Sequence, residues 1–195
     1  MDACVVKHTR RGGFMALLQE EMHTIEEIEA LPEQVRAELI DGRMVYMETP
    51  STNHQRVVVR STTAIVNYID EHHGTCEAFP APFAVYLEQD TQYVEPDVVV
   101  ICDPEKLDRK GCHGAPNWLL EVTSKSTKSW DHTAKLGLYA RNGVEEYWIV
   151  DVDARKVFIY LQTEEYEPRV YTFEDGPFSP SIFPDLKMDF GRWIK

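Results

Sequence analysis

A mixed sheet with helices on its faces is the fold class this sequence predicts, an α/β arrangement of the α+β kind with a β-hairpin added near the N-terminus. Three observations lead there. Short apolar runs recur at Val98-Val99-Val100-Ile101, Trp118-Leu119-Leu120 and Tyr147-Trp148-Ile149-Val150, with the composition of buried strands. Stretches with a helical period, 53–73 and 129–142, separate them. Asp41-Gly42 stands between two further apolar runs, a strong hairpin signal.

Taken in order, residues 1–21 show no clear period and are expected to form an extension, with 22–195 as a single domain. Thr24 and Glu27 have capping-box spacing ahead of Ile25, Ile28 and Leu31. A second short helix is expected over Glu33 to Ala37, then the hairpin through Asp41-Gly42. Asn53 to His73 places Val58, Thr62, Ile65, Val66 and Ile69 on one face and stops at Gly74. Strands follow over Phe83 to Leu87 and Val98 to Cys102, then a charged loop and the strand Trp118 to Val122. Helix returns from Ser129 to Asn142. The strands Tyr147 to Val150, Val157 to Tyr160 and Arg169 to Phe173 precede a tail with Pro177, Pro180 and Pro184.

The bulk numbers bound the function. A chain of 195 residues buries roughly 70% of its unfolded surface, enough for one domain with a core. Its 43% hydrophobic and 27% charged residues are those of a globular protein. No apolar run approaches the roughly 20 residues that cross a bilayer, and Gly12 to Leu18 runs straight into Gln19-Glu20-Glu21, unlike a secretory signal. A cytoplasmic protein without a membrane partner is expected. Cys4, Cys76, Cys102 and Cys112 have no paired spacing, which argues against a disulfide framework and a zinc ribbon. Reduced thiols are expected, with Cys112-His113 near Cys102 as half a metal site the rival reading.

A net charge of -13 weighs against tight non-specific nucleic-acid binding, which draws on counterion release. Two local segments run the other way: Lys125, Lys128 and Lys135 against Asp131, and Lys106, Arg109 and Lys110 beside Glu105 and Asp108. Weak binding by one subunit suggests a homodimer, for which the Val157 to Tyr160 strand or Phe178, Ile182 and Phe183 would supply apolar surface.

The chemistry concentrates at Asp97 and Glu121, each against an apolar strand, with Lys135 on the following helix. A buried ionised carboxylate costs several kcal/mol or more unless a counter-charge, metal or hydrogen bonds compensate it. A divalent cation, Mg²⁺ or Mn²⁺, held by Asp97, Glu121 and the carbonyl of Val122 is one such compensation, and it points to phosphodiester hydrolysis. Plainer readings stand beside it. Glu121 and Lys135 form a structural ion pair, Asp97 caps a strand, Glu38 is a solvated residue at a helix end, His54 is structural, His72-His73 is a solvated helix end, and Tyr139, Tyr147 and Trp148 are core. Paired carboxylates also serve glycosidases, but Lys135 beside them disfavours that use.

Glu38-Leu39-Ile40-Asp41-Gly42, His54 after Pro50-Ser51, Pro96-Asp97, Glu121-Val122-Thr123-Ser124, Asp131 with Lys135, Tyr139, Gly143-Val144 and Tyr147-Trp148-Ile149-Val150-Asp151 occur in that order. Together they resemble the Uma-two family of proposed endonucleases, within the restriction-endonuclease-like PD-(D/E)XK superfamily, over about 24–189. The resemblance implies a restriction-endonuclease-like mixed sheet, a nucleic-acid partner with DNA favoured, and catalytic residues Glu38, Asp97, Glu121 and Lys135. Thr123 stands where the superfamily pattern has its lysine, and the family pattern supplies Lys135 instead. A catalytically weak binding module is therefore the alternative to a nuclease.

Overall fold

Thr24 opens the computed structural model's first helix, α1 (Ile25–Glu29), and its N–H donates to Glu27 Oε2 at 3.1 Å. The structure describes residues 22–88, 90–123 and 128–194; the expected extension 1–21, Ser124 and Lys125 lie outside them. The helix expected over Glu33 to Ala37 is not formed. Residues 33–34 make a turn and Ala37 opens β1 (Ala37–Ile40). Five residues after a proline barely close one helical turn, whereas Ala37 and Leu39 bury against Ile28 when the chain is extended. β1 pairs antiparallel with β2 (Arg43–Tyr46). Asp41 at φ 51° and Gly42 at φ 74° supply the left-handed pair that a two-residue hairpin turn requires.

Ser51 Oγ accepts the His54 N–H at 3.2 Å and starts α2 (Thr52–Glu71). Its buried stripe is Val57, Val58, Ser61, Ile65 and Ile69. This is rotated from the expected face: Thr62 is half-buried and Val66 exposed.

The strands form two mixed sheets, not the single sheet with an appended hairpin that the sequence predicts. In the first, β2 and β1 continue through β5 (Gln92–Val94) and β4 (Val85–Glu88) to β7 (Cys112–His113). The second runs β11 (Arg169–Thr172), β10 (Lys156–Leu161), β9 (Glu146–Asp151), β8 (Trp118–Thr123), β6 (Val98–Ile101) and β3 (Glu77–Pro80). β8 and β9 are parallel, as are β4 and β7; the other pairs are antiparallel. The β8–β9 crossover contains α3, which runs as α-helix over Lys128–Trp130, widens into a π-turn over Asp131–Lys135 and resumes over Leu136–Arg141.

Strand alternation divides the core. Val98, Val100, Trp118, Leu120, Val122, Trp148 and Val150 face α2 and the C-terminal segment, whereas Val99, Ile101, Leu119, Tyr147 and Ile149 face the first sheet and α3. The C-terminal segment, ending in α4 (Phe190–Trp193), is not a free apolar surface. Phe178 and Phe183 are buried and Ile182 packs on the same core. Val157, Ile159 and Tyr160 are buried too, while Phe158 and Ile182 are half-buried.

The cysteines also depart from expectation. Cys76 and Cys102 are joined by a disulfide, because Glu77 pairs with Ile101 and the next residues out face each other. The Cys102 half of the rival metal site is thereby used. Cys112 is a buried free thiol whose pKa burial pushes up to about 11. Among the described residues no helix is long and apolar enough to cross a membrane.

Candidate active site

The register Val98↔Leu120, continued by one residue, sets Asp97 opposite Glu121, and partners across an antiparallel pair project to the same face. That face is turned toward α3 and the first sheet. Asp97 Oδ2 accepts the Val122 N–H at 2.7 Å and lies 3.1 Å from His54 Nε2. α2 thus reaches the site through its first turn, and the Asp97 carboxylate is bound to the main chain of the strand bearing Glu121.

Glu38 enters from β1 and is buried. Lys135 comes from the end of the π-turn, and its Nζ lies 2.9 Å from Glu38, 2.8 Å from Glu121 Oε1 and 3.8 Å from Asp131 Oδ1. Tyr139, one turn further along α3, donates its hydroxyl to the same Glu121 Oε1 at 3.0 Å. A π-turn widens the helix locally, and such turns recur at functional sites; here Asp131 and Lys135 are the residues it carries.

With Lys135 only 5% and Glu121 only 4% exposed, solvent screens these charges little. Burial pushes the Glu121 pKa well above the carboxylate range; Lys135 pulls it back, while Asp97, Asp131 and Glu38 push it further up. Burial acts against the Lys135 ammonium, yet Glu121, Glu38 and Asp131 outweigh it and hold the group well above its ordinary value. Tyr139 and Tyr147 are raised by burial and then by Glu121, so both stay protonated and able to donate.

Of the residues singled out from sequence, Glu38, Glu121 and Lys135 meet directly, and Asp97 adjoins them through β8. The side chain of Val122 packs on the opposite face; only its main chain faces Asp97. Lys128 is turned away, paired with Asp151 at 2.7 Å. His72 is an exposed helix-end residue whose Nδ1 lies 2.8 Å from the Tyr68 carbonyl.

The sequence reading missed Glu95 and the role of Tyr139. The Glu95 N–H donates to Glu38 Oε1 at 3.1 Å, and its carboxylate accepts from Arg36 Nε at 2.8 Å and Tyr93 OH at 2.6 Å. Its one signal was its place beside Pro96-Asp97. Among the described residues no three His, Cys, Asp or Glu side chains form a ready-made metal cage.

Comparison with known proteins places this chain in a family. A crystal structure from Anabaena variabilis, described as a putative nuclease belonging to DUF820, shares the fold at TM-score 0.71. It covers 88% of this chain and 99% of its own at 20% identity. The uncharacterized Synechocystis protein slr1290 is 29% identical over 164 residues, 83% of this chain and 82% of that protein. A second uncharacterized Synechocystis protein, sll1609, is 24% identical over 119 residues, 60% of this chain and 66% of its own. Residues 21–191 match the family described as "Uma2: Putative restriction endonuclease", and with nearly its whole length so matched this chain belongs to the Uma2 family.

Proposed function

We propose that the cluster is the site of metal-dependent phosphodiester hydrolysis in nucleic acid, with DNA favoured through the family resemblance. The observation that carries this reading is the buried Lys135 ammonium shared by Glu38 and Glu121, with Asp97 on the same face of the neighbouring strand.

The donors fit a hard cation. Asp97 and Glu121 offer oxygen only, and the N–H and C=O of a strand residue point to the same side, so the Val122 carbonyl follows its N–H toward Asp97. Two carboxylates, one carbonyl and several waters suit Mg²⁺ or Mn²⁺, which need no all-protein cage. A cation bound there supplies Lewis acidity toward a phosphodiester oxygen and balances its developing charge.

The chain's own residues do the rest. Val122 N–H and His54 engage Asp97 Oδ2 and so leave Oδ1 as the oxygen offered to a cation. Glu38 and Glu121 fix the Lys135 ammonium, which stays protonated and offers a positioned positive charge to a phosphate or to the attacking water without reorganisation. Tyr139 holds the Glu121 carboxylate through its hydroxyl.

A catalytically silent nucleic-acid or protein-binding relative is the second reading. It is favoured by one observation: Glu38 and Glu121 already share a counter-charge, while buried Thr123 stands at the superfamily's lysine position. The two separate in a divalent-metal titration with single-stranded DNA, duplex DNA and RNA beside Asp97→Ala. Metal-dependent products from the parent protein and none from the variant support the nuclease. No products from either leave the binding module.

A further inference from the structure

β3 is the edge strand of the second sheet, and it brings an aromatic pair to the border of the candidate active site. Phe79 pairs with Val99 and Pro80 with Val98, and the Ala81 N–H donates to the Asp97 carbonyl at 3.1 Å. Ala81 is therefore opposite Asp97, and Phe79, two residues back, lies on the same face as Asp97 and Glu121 as a diagonal neighbour. The ring of Phe83 stacks on Phe79 with centroids 4.2 Å apart and planes within 6°. Both rings are half-buried.

A charged loop packs on the same segment. The Cys112 N–H donates to the Ala84 carbonyl at 2.9 Å, which ties the loop carrying exposed Arg109 to the residue after Phe83; Lys110 of that loop is paired with Glu29 at 2.8 Å. The aromatic pair thus lies on the Asp97 face, and the loop that carries Arg109 is tied to the same segment.

From this arrangement we infer that the site takes an unpaired stretch of nucleic acid, one base stacking on the Phe79–Phe83 pair while Arg109 meets the backbone. The inference rests on the nuclease reading for its substrate class. Charge decides between single strand and duplex. At a net -13 the chain gains little from counterion release, which dominates duplex binding. Base stacking on aromatic rings is independent of net charge and tolerates any sequence, but it needs a base that is out of the duplex stack. DNA and RNA single strands share this chemistry.

Fluorescence anisotropy with labelled ten-nucleotide dT and rU strands and a ten-base-pair duplex, in EDTA so that cleavage plays no part, tests it. The protein should bind the single strands more tightly than the duplex, with the dT and rU arms identifying the preferred sugar. Phe79→Leu and Phe83→Leu keep apolar bulk but remove the π face, and each should weaken single-strand binding ~10-fold. Phe83→Trp should restore or exceed parent affinity, and Arg109→Ala should lower the salt dependence of binding. Thermal melts identify any variant that has lost its fold, in which case the other phenylalanine decides. Leu variants that bind like the parent, tighter binding of duplex, or no single-strand binding would each overturn the inference. Phe-dependent binding without metal-dependent cleavage keeps the stacking site and removes the nuclease reading alone.

Discussion

Lys135 Nζ lies 2.9 Å from Glu38 although 97 residues separate them in the chain. Glu38 belongs to the first sheet and Lys135 to the crossover of the second, so one ammonium ties the two sheets together at the site. Removing it strands two carboxylates in dry surroundings, and breaking a buried pair in this way costs about 3–5 kcal/mol. Lys135→Ala is expected to lose stability of that order in urea denaturation. Lys135→Arg keeps the charge and should fold more stably than the alanine variant, yet remain poor in cleavage, since a planar guanidinium does not replace a compact ammonium. An alanine variant with parent stability and activity would contradict both roles.

Asp97 Oδ2 accepts from Val122 N–H and faces His54 Nε2, so His54 orients a carboxylate without needing to touch the cation. Loss of such a supporting partner typically lowers metal affinity 10–100-fold. Isothermal calorimetry should show that range for Mn²⁺ with His54→Ala, and substantial recovery with His54→Gln, whose amide N–H can reach the same oxygen. Equal affinity in parent and alanine variant would leave His54 only a helix-end residue.

Tyr139 is buried with its hydroxyl on Glu121. A hydrogen bond to a charged acceptor contributes about 1.5–3 kcal/mol, so Tyr139→Phe, which retains the ring, should lose stability of that size by chemical denaturation. A loss below ~0.5 kcal/mol would mean that Glu121 does not depend on this donor.

The elements legible from sequence were those whose signal is local. Asp41-Gly42 marked its turn through the backbone conformations it permits, and the apolar runs at 98–101, 118–120 and 147–150 marked the buried strands. β3, β5 and β7 escaped because two to four residues hold no period, and Pro80 argued against a strand that the sheet edge tolerates. Missing β3 meant missing the Cys76–Cys102 disulfide, whose pairing depends on the β3–β6 register. The π-turn was equally hidden, since a helical period does not reveal one inserted residue. Glu38, Asp97, Glu121 and Lys135 were named through resemblance and the expense of burying carboxylates. Glu95 was not, because Arg36 and Tyr93 reach it only in the folded first sheet.

His132 offers a pH test away from the proposed ligands. Burial first, then Lys128, holds its pKa below the ordinary value of about 6.5, and its Nδ1 lies 3.2 Å from Tyr160 OH. Between the folded and unfolded values the unfolded chain binds more protons, so stability rises with pH there. The contribution is present above about pH 6.5 and is lost as pH falls through the folded value. Denaturation midpoints measured from neutral pH downward should fall more steeply for the parent than for His132→Gln; parallel curves would show that His132 does not carry the effect.

Anomalous diffraction from Mn²⁺-soaked crystals tests the central claim most directly, because it locates a cation independently of substrate or turnover. The account predicts a peak between Asp97 and Glu121, roughly 2.0–2.3 Å from a carboxylate oxygen of each, lost in Asp97→Ala crystals while the Lys135–Glu38 contact remains. A fully ordered Glu121–Lys135 pair with no peak beside Asp97 at saturating Mn²⁺ would contradict it.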